Sequence, residues 1–129
     1  MSQPREPILV FVPDLLMRQQ LVGGLESAGF TAKGAATPAR LATALETTGA
    51  AAVVVELDGV GIDGAAVVAE LKAGDRTADV PVIGFCAHTR AELIQAARDA
   101  GADRVVSRGE LTHRLVRIAT EVTGDPAAS

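Results

Sequence analysis

Five short apolar runs punctuate the chain at 8–12, 30–35, 52–57, 80–86 and 103–107, and each is followed by a stretch with helical spacing. The runs are too short for helices, are rich in Val and Ile, and are mostly bounded by Gly or Pro, which marks them as strands. The near-continuous apolarity of AAVVVEL and VPVIGFC belongs to strands covered on both faces. The mixed run at 30–35 belongs nearer a sheet edge. Between the runs, Met17, Leu21, Leu25 and Ala28 fall on one stripe that Gly29 stops. Leu41 and Leu45 follow Thr37 and Pro38, a cap and then a proline at the first helical position. Val67, Val68 and Leu71 continue from Gly64; Leu93, Ala97 and Ala100 precede Gly101; Leu111, Leu115, Ile118 and Val122 end at Gly124. Strict alternation of strand and helix implies right-handed crossovers and a parallel sheet with helices on both faces. The expected architecture is an α/β sandwich of the (βα)5 kind over 7–123, with an N-terminal extension at 1–6 and a flexible tail at 124–129.

The 129 residues fit one domain, and 48% hydrophobic residues supply a real core. Aromatics are only 2%, with no Trp or Tyr, so stacking platforms for single-stranded nucleic acid are missing. A net charge of −4 argues against a general nucleic-acid binder. Cys86 stands alone, which leaves no disulfide frame and no cysteine-based metal cluster. The opening MSQPREPILVFVPDLL has too short an apolar stretch for a signal peptide, and Pro13 and Asp14 interrupt it. No run approaches the ~18 apolar residues that a membrane span requires. The expectation is a cytoplasmic protein with no membrane contact.

Chemistry in such a sheet gathers at the carboxyl ends of its strands. There, residues 53–64 read VVVELDGVGIDG: a buried run, an acid, a short loop, then Asp63 and Gly64 opening a helix. This segment resembles the phosphoacceptor stretch of response-regulator receiver domains, in which an Asp ends the third strand and Met-Asp-Gly follows. Ile62, Asp63 and Gly64 match that Met-Asp-Gly, and the phosphoacceptor position falls on Glu56. ILVFVPDLLMRQQL resembles the first strand and helix start, PVIGFCAHTRAELIQAARDAGAD the fourth strand and helix, and VVSRGEL the fifth strand and the loop after it. The resemblance covers residues ~7 to ~122. It implies a CheY-like, flavodoxin-like fold with strand order 2-1-3-4-5.

The resemblance also implies a phosphorylation pocket, and this chain departs from it at every key position. In the family two acids after the first strand hold Mg²⁺; here they align with Val12 and Pro13, which offer no oxygen donor to a hard cation. Asp14, one position later, is read as a helix cap, with residual metal binding as the alternative. Glu56 replaces the transferable Asp, and its extra methylene displaces the carboxylate from the line of attack. Glu56 is then a structural carboxylate or a fixed charge that mimics phosphorylation. Cys86 takes the Ser/Thr position; its S–H is a poor donor to a phosphoryl oxygen, and a buried inert thiol outweighs a redox sensor. Arg108 takes the Lys position, where a bidentate pair with Glu56 is the favoured geometry. Gly109 replaces the usual Pro, and Val105 stands where family members carry an aromatic switch residue.

Other constellations carry less. Asp58 with Gly59 reads as a turn and Asp63 as a cap rather than as metal ligands beside Glu56. Gly59, Gly61 and Gly64 lack the lysine and spacing of a phosphate loop. His88 reads as a partly exposed residue at a helix start, and no His/Cys cluster accompanies it. Arg104, Arg108, His113, Arg114 and Arg117 make the late chain basic: a solvated face, or a docking surface with Leu93, Ile94 and Val105 as its apolar part. In the family, the face of the fourth helix, fifth strand and fifth helix serves dimers and partners.

The expected protein is therefore a stand-alone atypical receiver, not an enzyme. It has no cofactor or metal and binds signalling partners (a histidine kinase, an output protein or a second copy), with nucleic acid disfavoured. The alternatives are a weakened response regulator that accepts phosphate from a histidine kinase, and a small-ligand domain with a pocket lined by Pro13, Glu56, Cys86 and Arg108.

Overall fold

The computed structural model describes residues 6–87 and 90–124. Apart from Glu6 and Gly124, the expected extension and tail lie outside the described residues, as does His88. The order is β1 (Ile8–Phe11), α1 (Leu15–Ser27), β2 (Ala32–Ala35), α2 (Pro38–Thr48), β3 (Ala52–Glu56), α3 (Gly64–Ala73), β4 (Val82–Cys86), α4 (Ala91–Asp99), β5 (Arg104–Ser107) and α5 (Arg108–Thr123). All strand pairs are parallel, and the sheet runs β2-β1-β3-β4-β5. The alternation of strand and helix in the sequence produces the expected sandwich, and the weaker second run lies at an edge. Phe30 and Thr31 fall outside β2. Phe30 follows the positive-φ Gly29 that closes α1, and its amide bonds Leu25 O rather than a neighbouring strand.

Period-two alternation divides the core into two halves. Ile8, Val10, Val12, Val54, Ile83 and Phe85 face Met17, Leu21 and Leu25 of α1 and Leu111, Leu115 and Ile118 of α5. Leu9, Phe11, Val53, Val55, Leu57 and Cys86 face Leu41 of α2, Val68 and Leu71 of α3 and Ala97 of α4. The central strands are buried along their whole length, which explains their unbroken apolar sequence.

Helix starts follow their caps. Asp14, Thr37 and Asp63 each accept the amide of the residue three positions on, in α1, α2 and α3 respectively. At α5 the expected loop after β5 is missing. Ser107 ends the strand and caps the helix at once, its Oγ accepting from Glu110 N at 3.0 Å. The Ser107-x-x-Glu110 spacing is that of a capping box, and it makes Arg108 the first residue of α5. The helix bends at Arg114, where φ is −124° and ψ is 24°. Among the described residues no helix is long and apolar enough to cross a membrane.

A polar junction fixes the amino-terminal end of β4. Asp103 Oδ2 accepts from Val82 N at 2.8 Å and from Lys72 Nζ at 2.9 Å, while the same Nζ donates to Val80 O at 2.9 Å. This ties α3, β4 and the start of β5 together at the edge opposite the candidate site.

Candidate functional site

Glu56 is the last residue of β3 and follows Val54 on the face that packs against α1 and α5. The residue is only 7% exposed, and it is the one buried charged residue among those described. Pro13 and Gly59 close against it. A β-carbon placed on Gly59 would lie 3.2 Å from Glu56 Oε1 and 3.3 Å from Pro13 Cγ, so the longer carboxylate side chain occupies the space that glycine leaves. Among the described residues Glu56 has neither a hydrogen-bond donor nor an ion-pair partner. Burial pushes its carboxyl up from the usual glutamate range, Asp58 pushes the same way, Arg108 pulls it down, and Asp14 adds a further upward push.

The expected Glu56–Arg108 pair is not formed. The guanidinium, half-buried at the first turn of α5, donates from Nε to Met17 Sδ at 3.1 Å. The immediate succession of β5 and α5 starts the helix one residue after Ser107, and the side chain leans onto α1. Arg108 stays close enough to act on Glu56 through space but makes no contact that would fix the carboxylate's position.

Val12 is fully buried among the α1 and α5 core residues, and Pro13 offers only carbon to the crevice. Their carbonyl oxygens accept from Arg18 Nη1 at 2.8 and 3.0 Å, a clamp that the sequence reading missed. Gly34 on β2 makes room for it: a β-carbon there would lie 2.8 Å from Arg18 Cδ. Asp14 caps α1 through Met17 N at 2.8 Å, as expected. No cluster of three or more His, Cys, Asp or Glu side chains suited to a metal ion occurs among the described residues.

Cys86 does not join the pocket. It lies on the other face of the sheet with Val55, Leu57 and Ala97, because it is one residue out of phase with Phe85, the register partner of Glu56. Burial, then the Asp58 charge, pushes its thiol up, as an unreactive buried cysteine requires. The four residues expected to line a ligand crevice therefore do not share one. Asp58 does more than turn the chain. Its Oδ2 accepts from Ala87 N at 2.9 Å and joins the loop after β3 to the loop after β4. Its Oδ1 is buried with no partner, the sole side-chain atom of that kind among the described residues.

The expected docking face is less open than its sequence suggests. Leu93, Ile94 and Val105 are half-buried and pack into the core of the α2, α3 and α4 side. Arg104 pairs with Glu121 at 2.8 Å, and Arg117 reaches the same carboxylate at 3.5 Å. Arg114, at the bend of α5, is exposed and is in no ion pair among the described residues. The large apolar side chains that do face solvent are Leu15 and Leu16 at the start of α1, Val60 in the loop after β3, and Val116 on α5.

No protein-family model and no curated protein matches the chain. Solved structures do. A response regulator from Chloroflexus aurantiacus superposes with a TM-score of 0.83 at 18% identity, covering 93% of this chain and 98% of that one. The chemotaxis protein CheY4 of Vibrio cholerae superposes with a TM-score of 0.83 at 15% identity, covering 92% and 99%. The receiver domain of the Francisella response regulator 1452 gives 0.79 at 17% identity, covering 92% and 97%. With five parallel strands in the order 2-1-3-4-5 and these neighbours, the chain has the CheY-like fold of response-regulator receiver domains.

Proposed function

We propose that this chain is an atypical receiver: a signalling module that recognises protein partners without taking up a phosphoryl group. The observation that carries the reading is the state of the carboxyl end of β3. Phosphoryl transfer to a carboxylate needs a cation to neutralise charge, a nucleophile held in line, and a fixed positive group on the transferred oxygens. Val12 and Pro13 supply no carboxylate for the cation, Glu56 is packed under Pro13 and Gly59, and Arg108 is turned to Met17. Each departure alone would slow transfer; together they remove all three requirements.

Fixed-charge mimicry is the weaker half of this reading. A phosphoryl mimic works through the cation that answers it, and Arg108 makes no contact with Glu56. Recognition then rests on surface rather than on the pocket. The α4–β5–α5 face contributes Arg114, and the exposed side chains of Leu15, Leu16 (76% exposed) and Val60 (98% exposed) contribute more accessible hydrophobic area.

Incubation of the full chain with acetyl phosphate and Mg²⁺, followed by intact-mass measurement, tests the proposal. The expected result is an unchanged mass; addition of one phosphoryl group, lost in Glu56→Gln, overturns it.

A further inference from the structure

We propose that Glu56 is a proton-operated latch: its neutral form lets Asp58 hold the loop after β3 to the loop after β4, and its ionised form releases that hold. The inference rests on the reading of a pocket closed to phosphoryl transfer, and it concerns what the same carboxyl does instead.

The groups that face Glu56 come from each element around it. Asp14 approaches from the start of α1, Asp58 from the loop after β3, and Arg108 from the first turn of α5. Cys86, at the end of β4, is buried on the opposite face and holds its proton. Of the three carboxylates, Asp14 is satisfied by the Met17 amide and Asp58 is half satisfied by the Ala87 amide. Glu56 has no donor among the described residues; of the cations there, Arg18 is spent on the Val12 and Pro13 carbonyls, and Arg108, the one that acts on Glu56, is spent on a thioether. Burial and two acidic neighbours therefore oppose ionisation of Glu56, with only Arg108 favouring it. A proton is the simplest means of relieving three negative charges set against one positive one.

The movable partner is Asp58. Glu56 is fixed by the sheet: it belongs to β3, in register with Phe85 of β4. Asp58 sits in the seven-residue segment (57–63) between Glu56 and α3, and among the described residues its grip on the far loop is one hydrogen bond, Ala87 N to Oδ2 at 2.9 Å. Its other oxygen is buried without a partner, so the side chain is held short of full satisfaction. When Glu56 loses its proton, repulsion falls on a carboxylate two residues away whose alternative is hydration. Breaking the Ala87 contact exposes Asp58 and frees the loop that carries Val60, which is 98% exposed. A recognition edge that includes Val60 would then depend on pH.

The test is amide exchange and carboxyl NMR on the full chain between pH 4 and 8. Ala87 should show a protection factor that falls roughly tenfold as the Glu56 carboxyl ionises, as expected for opening of one local contact. Both transitions should share one midpoint above the ordinary glutamate value of about 4.3. In Glu56→Gln the Ala87 protection should stay high throughout. In Asp58→Asn, which keeps an acceptor but not the charge, it should no longer respond to pH. His88→Gln should retain the wild-type transition. An Ala87 amide indifferent to Glu56 ionisation, a transition that survives in Glu56→Gln, or one lost in His88→Gln overturns the latch. A mass gain with acetyl phosphate would instead overturn the closed-pocket reading, so the two failures are separable.

Discussion

Arg108 Nε donates to Met17 Sδ at 3.1 Å, joining the first turn of α5 to the first turn of α1 and holding the guanidinium off Glu56. A thioether is a weak acceptor, so this is a poor use of a cation beside a buried carboxylate. What holds it there is position: Arg108 is the first helical residue after Ser107, and Met17 is buried directly below it. Met17→Leu conserves volume and removes the acceptor, at a stability cost under about 1.5 kcal/mol. The freed guanidinium should turn to Glu56 and pull its titration midpoint downward. Carboxyl ¹³C NMR reads the shift; an unmoved midpoint would mean that the Met17 sulfur does not set the direction of Arg108.

Glu56 should make stability fall with rising pH. Its folded-state carboxyl titrates above the ordinary range, so between the two midpoints the folded chain binds more protons than the unfolded one. The stability it contributes is complete below the unfolded value of about 4.3 and is lost as pH rises through the raised folded value. Glu56→Gln cannot ionise. Relative to wild type it should be more stable at pH 7, by a margin that shrinks as pH falls. Urea unfolding at pH 7, 6, 5 and 4 checks this; a constant difference across the series contradicts it.

Two glycines should respond in opposite directions to the same substitution. Gly64 opens α3 where the helix crosses the end of β3, and a β-carbon there would lie 2.5 Å from Leu57 Cα and 3.0 Å from Glu56 O. Backbone on both sides must move, so Gly64→Ala should cost about 2 kcal/mol or more. Gly23 lies on the exposed side of α1 with nothing within 4 Å of the added carbon. Gly23→Ala should stabilise the chain by about 0.5–1 kcal/mol, through helix propensity and a less flexible unfolded state. Thermal melts of both variants decide the matter, and equal effects would mean that the close approach at Gly64 relaxes freely.

The fold was legible because burial and periodicity repeat the same message five times. The runs around Val10, Val54 and Ile83 could only be strands buried on both faces, and Asp14, Thr37 and Asp63 announced the helix starts. The site was legible as positions but not as contacts. Alternation places Cys86 on the face away from Glu56, a consequence that a motif alignment hides. The Glu56–Arg108 pair looked favourable on charge alone, yet the capping of α5 by Ser107 fixes where Arg108 starts, and that signal was present in Ser107-x-x-Glu110. The Arg18 clamp had no local signature, since it depends on a glycine in a neighbouring strand. The docking face is less basic than its sequence suggests for a similar reason: Glu121, four residues beyond Arg117, pairs with two of the arginines.

Asp103 should give the opposite pH dependence to Glu56, at the other end of the sheet. Burial pushes its carboxyl up, but the Lys72 and Val82 hydrogen bonds and the Lys72 charge outweigh that and hold it below the usual range. A carboxylate with a depressed folded value stabilises above its unfolded value of about 3.9, and that stability disappears as pH falls through the folded value. Asp103→Asn keeps an acceptor for the Val82 amide and removes the charge facing Lys72. The Asp103 side chain is 45% exposed and that of Lys72 only 19%, so solvent screens the pair in part and the loss at pH 7 should be roughly 1 kcal/mol. Paired urea melts of wild type and Asp103→Asn should differ at pH 7 and 5 and converge below pH ~3. A gap that persists in acid would assign the effect to altered packing at the start of β4 rather than to the ion pair.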